Sequence, residues 1–360
     1  MSLRRRTLIS ATASVVALAS AGLVPAHAQS WSGNAADDAA ILKLYDEAVK
    51  AGESELVIYG AYAGLFRPIW DMFSKRFPKI AIVGNPVSGA QMSAKLDAEF
   101  ASRQQTADIV TSGLTELLAA VEQGRAEPFR PPNIASLPER YRDPQNRFVI
   151  NYAELYGVVY NTTRLKPADL PKTPADLLDV RYKGMIIDDP MGARTTELAW
   201  IELYNSGKID AAFVKAMKAQ TTVVPSTAPF FNQLTTGTVA MIPWGGHARY
   251  LGLKTAGAPV GFLAVPGLAV PVLAGTVVLK GAPHPKSAQL FQSWFLTAEA
   301  QNAIVTLGNS YGLTATVKLP DNEADWPKLP PLAAALKPVP PDQFIAARDA
   351  LRKVVEVNFK

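Results

Sequence analysis

From residue 56 onward, short apolar runs alternate with segments whose apolar residues recur every three to four positions. Residues 56–59 are four consecutive apolar positions and predict a buried strand. After the 60–64 loop, Leu65, Phe66, Ile69, Trp70, Phe73 and Phe77 fall on one face of a helix. Residues 80–83 predict the next strand, followed by a loop ending at Ser88 and Gly89 and a helix through Leu96 and Phe100. A strand over 108–111 and a helix over 114–123 follow, closed by Gly124 where a left-handed cap is usual. A Pro- and Arg-rich stretch at 127–147 interrupts the pattern, and strand-like sequence resumes over 148–160. Further on come a strand at 185–187, helices after Thr195 and Asp210, and a strand, helix and strand between 222 and 242. A second Pro/Gly-rich stretch at 265–275 leads into a central strand at 276–279. Such alternation is that of an α/β fold with a largely parallel sheet. The two interruptions read as two crossings between lobes, each lobe then being discontinuous in sequence.

The first residues address location. Arg4, Arg5 and Arg6 precede a small-residue apolar stretch at 8–24 that closes on Ala26-His27-Ala28, the layout of a signal peptide cleaved after Ala28. Arg5-Arg6-Thr7-Leu8-Ile9 fits a twin-arginine signal; an ordinary secretory n-region is the alternative. The expected division is therefore 1–28 signal peptide, 29–148 first part of lobe one, 149–265 lobe two, 266–318 return to lobe one, and 319–360 a C-terminal helical segment.

Composition removes several classes of function. The chain has no cysteine, so disulfides, thiolate metal sites and a lipidated N-terminal cysteine are excluded. The formal charge of +5 includes three arginines of the signal segment, and nothing points to nucleic acid as a partner. Apolar residues make up 48% of the chain, enough for two cores. Catalysis has few candidates. Only His247 and His284 follow the signal segment, His284 in a Pro-flanked surface loop, and there is no G-x-S-x-G, H-E-x-x-H or Gly-rich phosphate loop. Asp188 and Asp189 are adjacent on a strand end and point apart, so they do not form an acid/base pair. No catalytic residue, cofactor or metal site is expected.

The order of segments resembles the bacterial extracellular solute-binding family, whose members include receptors for ferric ion, thiamine, phosphonate and polyamines. The likeness rests on ELVIYGAYAG (55–64), KLDAEFASRQQTADIVTSG (95–113), YGVVYNTTRL (156–165), PKTPADLLDVRYKGMIIDDPMGARTT (171–196), QLTTGTVAMIPWGG (233–246) and GTVVLKGAPHPKSAQLFQSWFLTAEAQ (275–301). It implies a type II periplasmic-binding-protein-like fold, two α/β lobes joined by a double-crossing hinge. It also implies a soluble monomeric receptor in the periplasm that hands a small molecule to an ABC permease of the inner membrane. A sensing role beside a signalling receptor is the alternative. Ferric receptors of this kind use a tyrosine pair where this chain has Trp244-Gly245-Gly246, and commonly a histidine where it has Ala61-Tyr62-Ala63, which argues against iron here.

Several residues are candidates for contact with a ligand. Ser88 with Gly89, Ser112, Thr195 and Ser226 sit at or after strand ends, where open α/β sheets bind ligands, each being either a plain helix cap or a ligand donor. Thr173-Pro174 with Asp176 is a helix start, and 189–192 is a turn that delivers Arg194 and Thr195 to the front of a helix. Arg194 offers a planar fork for carboxylate or phosphonate oxygens if it faces the cleft, and is a surface arginine otherwise. Tyr62 and Trp244 are flat surfaces in Gly-flanked loops. Because these loops hold one arginine and no acid, a small organic anion is the expected ligand, with Asp189 and Glu197 flanking one loop.

Overall fold

The computed structural model describes residues 30–60, 63–190, 194–223, 227–322, 325–329 and 343–359, apart from the side chains of residues 90, 194, 195 and 227–229. Its frame is one mixed sheet of ten strands: β1 (Glu55–Tyr59), β2 (Ala81–Asn85), β3 (Ile109–Gly113), β4 (Val149–Asn161), β5 (Ile186–Asp188), β6 (Thr221–Val223), β7 (Met241–Gly246), β8 (Val260–Leu263), β9 (Val270–Val278) and β10 (Tyr311–Gly312). The order across the sheet is β2-β1-β3-β9-β4-β7-β5-β6, with β8 and β10 also paired to β4. Parallel pairs lie at the two ends, β1 with β2 and β3 in one half, β5 with β6 and β7 in the other. The antiparallel strands β4 and β9 join these halves. All 13 residues of β4 are buried, as a strand covered on both faces must be, and the run V-I-N-Y-A-E-L-Y-G-V-V-Y-N supplies mostly apolar side chains for both.

The long strand is irregular where the two halves meet. Its register against β9 shifts between Ile150 and Tyr152, leaving Asn151 as the extra residue, and against β7 it shifts between Gly157 and Val159. At the first shift Asn151 Nδ2 donates to Thr276 Oγ1 (3.1 Å), and Gln301 Nε2 donates to the Asn151 carbonyl (2.8 Å). Opposite lies Gly275, where any Cβ would stand 2.0 Å from the Val149 carbonyl oxygen.

Helices cover the sheet. α1 (Ala35–Lys50), which no sequence feature above announced, packs on α9 (Pro285–Trp294). α2 (Arg67–Arg76) presents Ile69, Trp70 and Phe73 to the core, and Pro68 fits its first turn. α3 (Gly89–Ser102), α4 (Leu114–Glu122), α5 (Arg194–Asn205), α6 (Ala211–Gln220), α7 (Thr227–Thr235), α8 (His247–Thr255) and α10 (Ala298–Thr306) follow strands or turns. Asp210 caps α6 by accepting from the Phe213 N–H at 2.8 Å, and Gly124 takes φ +66° after α4. α11 (Phe344–Asn358) packs against α4, α5 and α6, touching both halves of the sheet.

The sheet is mixed rather than largely parallel, because its central strands β4 and β9 pair antiparallel to their neighbours, and three further sequence expectations are corrected here. The Pro/Gly-rich stretch over 265–275 is mostly strand, since β9 begins at Val270 and accommodates Pro271 near its start. Thr173 and Asp176 do form a reciprocal capping box, but what they open is a five-residue 3₁₀ turn, Pro174–Leu178, rather than an α-helix. His284 is tied down: its backbone N–H and its Nδ1 both lie on the buried Asp108 carboxylate, at 2.6 and 3.0 Å.

Candidate functional site

The carboxyl ends of β1 and β3 and the amino ends of α3 and α4 lie in the first half of the molecule. The ends of β5 and β7 and the starts of α5 and α8 lie in the second. The halves come close where a Cβ on Gly113, the residue before α4, would stand 2.8 Å from Leu198 Cδ1 of α5. The first turn of α4 thus faces α5 across the junction, with β4 and β9 behind.

Ser88 occupies the N-cap position of α3 yet its side chain makes no capping hydrogen bond, and Gly89 takes φ +60°, a conformation that favours glycine. Ser112 is buried at 3% exposure near the end of β3, in register with Gly275. Arg194 and Thr195 are the first two residues of α5, their side chains outside the described set. Thr196 Oγ1 donates to the Asp189 carbonyl at 2.9 Å and binds that turn to the helix. Tyr62 and Ser226 lie outside the described residues. Trp244 is corrected from a loop to a strand residue of β7. At 0% exposure it packs edge-on to Trp200 with ring centroids 4.8 Å apart, and its Nε1 donates to the Leu268 carbonyl at 3.0 Å. In this conformation it supports the site from within the core and offers no face to solvent.

Two buried carboxyls escaped the sequence reading of the site. Asp188 ends β5; its Oδ2 accepts from Trp200 Nε1 at 2.8 Å and its Oδ1 from the Asp189 N–H at 2.8 Å. Burial outweighs these hydrogen bonds and pushes its pKa up to about 7. Glu154, in the middle of β4, is pushed up to about 8 by burial, against the opposing pull of the Ser310 hydroxyl. A lone acid inside a 13-residue strand of otherwise mostly apolar residues was the available signal. His247 opens α8 fully buried, its Nε2 against the Asp325 carbonyl and its ring among Phe262, Tyr311 and Trp326; burial lowers its pKa and keeps the imidazole neutral. Among the described residues no group of three or more His, Asp or Glu is arranged to hold a metal ion, and no helix is long and apolar enough to cross a membrane.

The arrangement provides buried polar groups at strand ends and helix starts on two facing halves, a layout suited to enclosing a small polar molecule. Comparison with known proteins agrees with it. A family model described as bacterial extracellular solute-binding protein matches residues 69–331. An uncharacterised protein of Haemophilus influenzae is 31% identical over 235 residues, which span 60% of this chain and 65% of that protein. A Fe(3+)-binding periplasmic protein of Serratia marcescens is 28% identical over 251 residues, 66% of this chain and 71% of the relative. Among solved structures, the substrate-binding protein of an ABC transporter from Agrobacterium tumefaciens superposes with TM-score 0.74 at 17% identity, covering 86% of this chain and 96% of that one. The periplasmic binding protein AfuA of Actinobacillus pleuropneumoniae, solved with fructose-6-phosphate, superposes with TM-score 0.67 at 23% identity, covering 84% and 97%.

Proposed function

The chain belongs to the bacterial extracellular solute-binding protein family, and we propose that it is the periplasmic receptor of an ABC importer, enclosing a small organic anion between two lobes and catalysing no reaction. The lobes are 29–148 with 266–318, and 149–265; a signal peptide over 1–28 directs export, and the mature receptor acts as a monomer that docks on an inner-membrane permease. The observation that carries the reading is the approach of the β3–α4 junction to α5 in front of β4 and β9. Ligand in that junction stabilises the closed arrangement by accepting hydrogen bonds from both lobes at once.

The charge of the ligand follows from the starts of α3, α4 and α5, whose backbone N–H groups and dipoles favour anionic oxygens. Arg194, first residue of α5, supplies the matching cation. The sugar phosphate bound to the Actinobacillus protein is an anion of this class. Small-angle scattering with a saturating ligand is expected to show contraction. Replacing Arg194 with Ala is expected to weaken binding more than tenfold, the effect of about 1.5–3 kcal/mol for a charge-assisted hydrogen bond. An unchanged dissociation constant overturns the anion assignment.

A second reading is favoured by the acids around α5. Asp188, Asp189 and Glu197 are all buried there, and the Serratia relative is a Fe(3+)-binding periplasmic protein. If this reading holds, ferric citrate or a polyamine raises the melting temperature of the purified protein and phosphonates or sugar phosphates do not.

A further inference from the structure

The chain beyond β10 touches both halves of the molecule. Residues 313–318 are held to the first half: Gln301 Oε1 of α10 accepts from the Leu313 and Thr314 N–H groups at 2.8 and 3.2 Å, and Asn302 Oδ1 accepts from the Lys318 N–H at 3.2 Å. By Asp325 the chain is on the second half, against α8. The Asp325 carboxylate accepts from the Tyr250 hydroxyl at 2.8 Å and from Lys254 Nζ at 2.6 and 2.7 Å, and the Asp325 carbonyl accepts from His247 Nε2.

Trp326 fills the space between the two attachments. It is 8% exposed and stands edge-on to two rings, His247 of α8 at 4.9 Å and Tyr311 of β10 at 5.3 Å between centroids. Tyr311 is anchored in the first half, since β10 pairs with β4 at Ala153 and Tyr152 and packs on α10. Its hydroxyl donates to the Pro327 carbonyl at 3.0 Å. Residues 325–327 therefore grip α8 on one side and β10 on the other. A rotation about β4 and β9 that draws α8 away from β10 has to strip one face of Trp326 or break the Asp325 cluster. That cluster is sheltered: the Asp325 side chain is 17% exposed, so its bonds to Lys254 and Tyr250 are less screened than those of an open surface pair.

We propose that Asp325, Trp326 and Pro327 form an interlobe clasp, a conformational device that limits how far the unliganded lobes open. The proposal rests on the two-lobe receptor reading and adds to the hinge strands a restraint made by side chains outside them. Its consequence is for affinity. A receptor whose resting arrangement stays near the closed one has a larger binding-competent fraction, so the clasp tightens binding without touching the solute.

The test measures lobe separation in the full chain with no ligand. The chain has no cysteine, so paired spin labels are placed on introduced ones. Val83 and Val223 are 43% and 44% exposed and lie on β2 and β6, the outermost strands of the sheet, so Val83→Cys with Val223→Cys reports opening about β4 and β9. Leu42→Cys with Val83→Cys, both in the first half, gives the width of a distance distribution within one lobe. In pulsed electron resonance, Trp326→Ala and Asp325→Ala are each expected to lengthen the cross-lobe distance by several ångströms and to widen its distribution, with the within-lobe distance unchanged. Lys254→Met, at a half-exposed position, removes only the ion pair and is expected to shift the distance the same way by less. It carries the test if melting curves show that either alanine variant fails to fold. Trp31→Ala loses a ring packed on Phe77 inside the first half and controls for general loosening; it should keep the wild-type distances. A broad cross-lobe distribution that the clasp variants leave unmoved, or that Trp31→Ala shifts equally, overturns the clasp and leaves the two-lobe reading intact. A cross-lobe distribution as narrow as the within-lobe one in the wild type and in every variant means one rigid body and overturns both.

Discussion

Two aromatic clusters, one in each half of the molecule, are built from similar residues to different ends. In the first half, Trp70 packs within 5.2–5.7 Å of Phe66, Phe291 and Phe295, and Phe73 joins Phe77, Phe291 and Trp294. The one polar atom of Trp70, Nε1, is satisfied by the Ala63 carbonyl at 3.0 Å. In the second half, Trp200 packs on Trp244, Phe213 and Phe359, but its Nε1 is committed to the buried Asp188 carboxyl. The first cluster is stabilised by burial throughout. The second spends part of that stabilisation on desolvating an acid at the end of β5. The contrast lies in the clusters themselves: the indole nitrogen of one is satisfied by a neutral carbonyl and that of the other by a desolvated acid.

The largest expected effect bears on the first cluster. Trp70→Ala should destabilise the protein by about 3–5 kcal/mol, as loss of a large buried aromatic does, measured by urea unfolding at constant pH. A loss under about 1 kcal/mol would mean that the cluster is not the frame.

The next effect bears on the acid of the second cluster. The folded pKa of Asp188, about 7, exceeds its ordinary value of 3.8. The stability it contributes is therefore fully present below about pH 4 and lost as pH rises through about 7. Asp188→Asn removes this term, worth on the order of a few kcal/mol. The variant should lose less stability than the wild type between about pH 4 and pH 8. Parallel pH–stability curves would show that the carboxyl is ionised in the fold.

The smallest effects compare two glycines. At Gly275 the atoms in the way are backbone, the Val149 carbonyl oxygen at 2.0 Å and Ile150 Cα at 2.9 Å, so Gly275→Ala must shift β4 against β9 at the first register shift. A cost of about 1–3 kcal/mol or more is expected. At Gly113 the obstacle is the end of the Leu198 side chain, which can turn away, so Gly113→Ala should cost clearly less in the same unfolding assay. That variant should instead alter the contact between the halves, read as a change in ligand affinity. Equal costs at the two positions would remove the distinction between a rigid hinge seam and a yielding junction.

The amphipathic and apolar periods of this chain by themselves determined many of its strands and helices. The buried faces of α2 and α4 and the apolar run of β4 follow from residue type and spacing alone, because burial of apolar side chains repeats with the geometry of the element. The ordered segments likewise carried the family. Tertiary structure decided what no local pattern encodes. Trp244 reads locally as a ring in a glycine loop, yet Trp200, 44 residues earlier, and the Leu268 carbonyl, 24 later, draw it into the core. Asp188 and Glu154 read as ordinary acids until the sheet covers them on both faces, and only the resulting loss of water lifts their pKa values to about 7 and about 8. The α1 helix is weakly patterned and gains its place from contact with α9, more than 230 residues away, where Lys286 meets Glu47 at 3.0 Å. Hydrophobic period is a property of neighbours along the chain, whereas desolvation and partner choice depend on neighbours in space, and for that reason the frame was legible before the site.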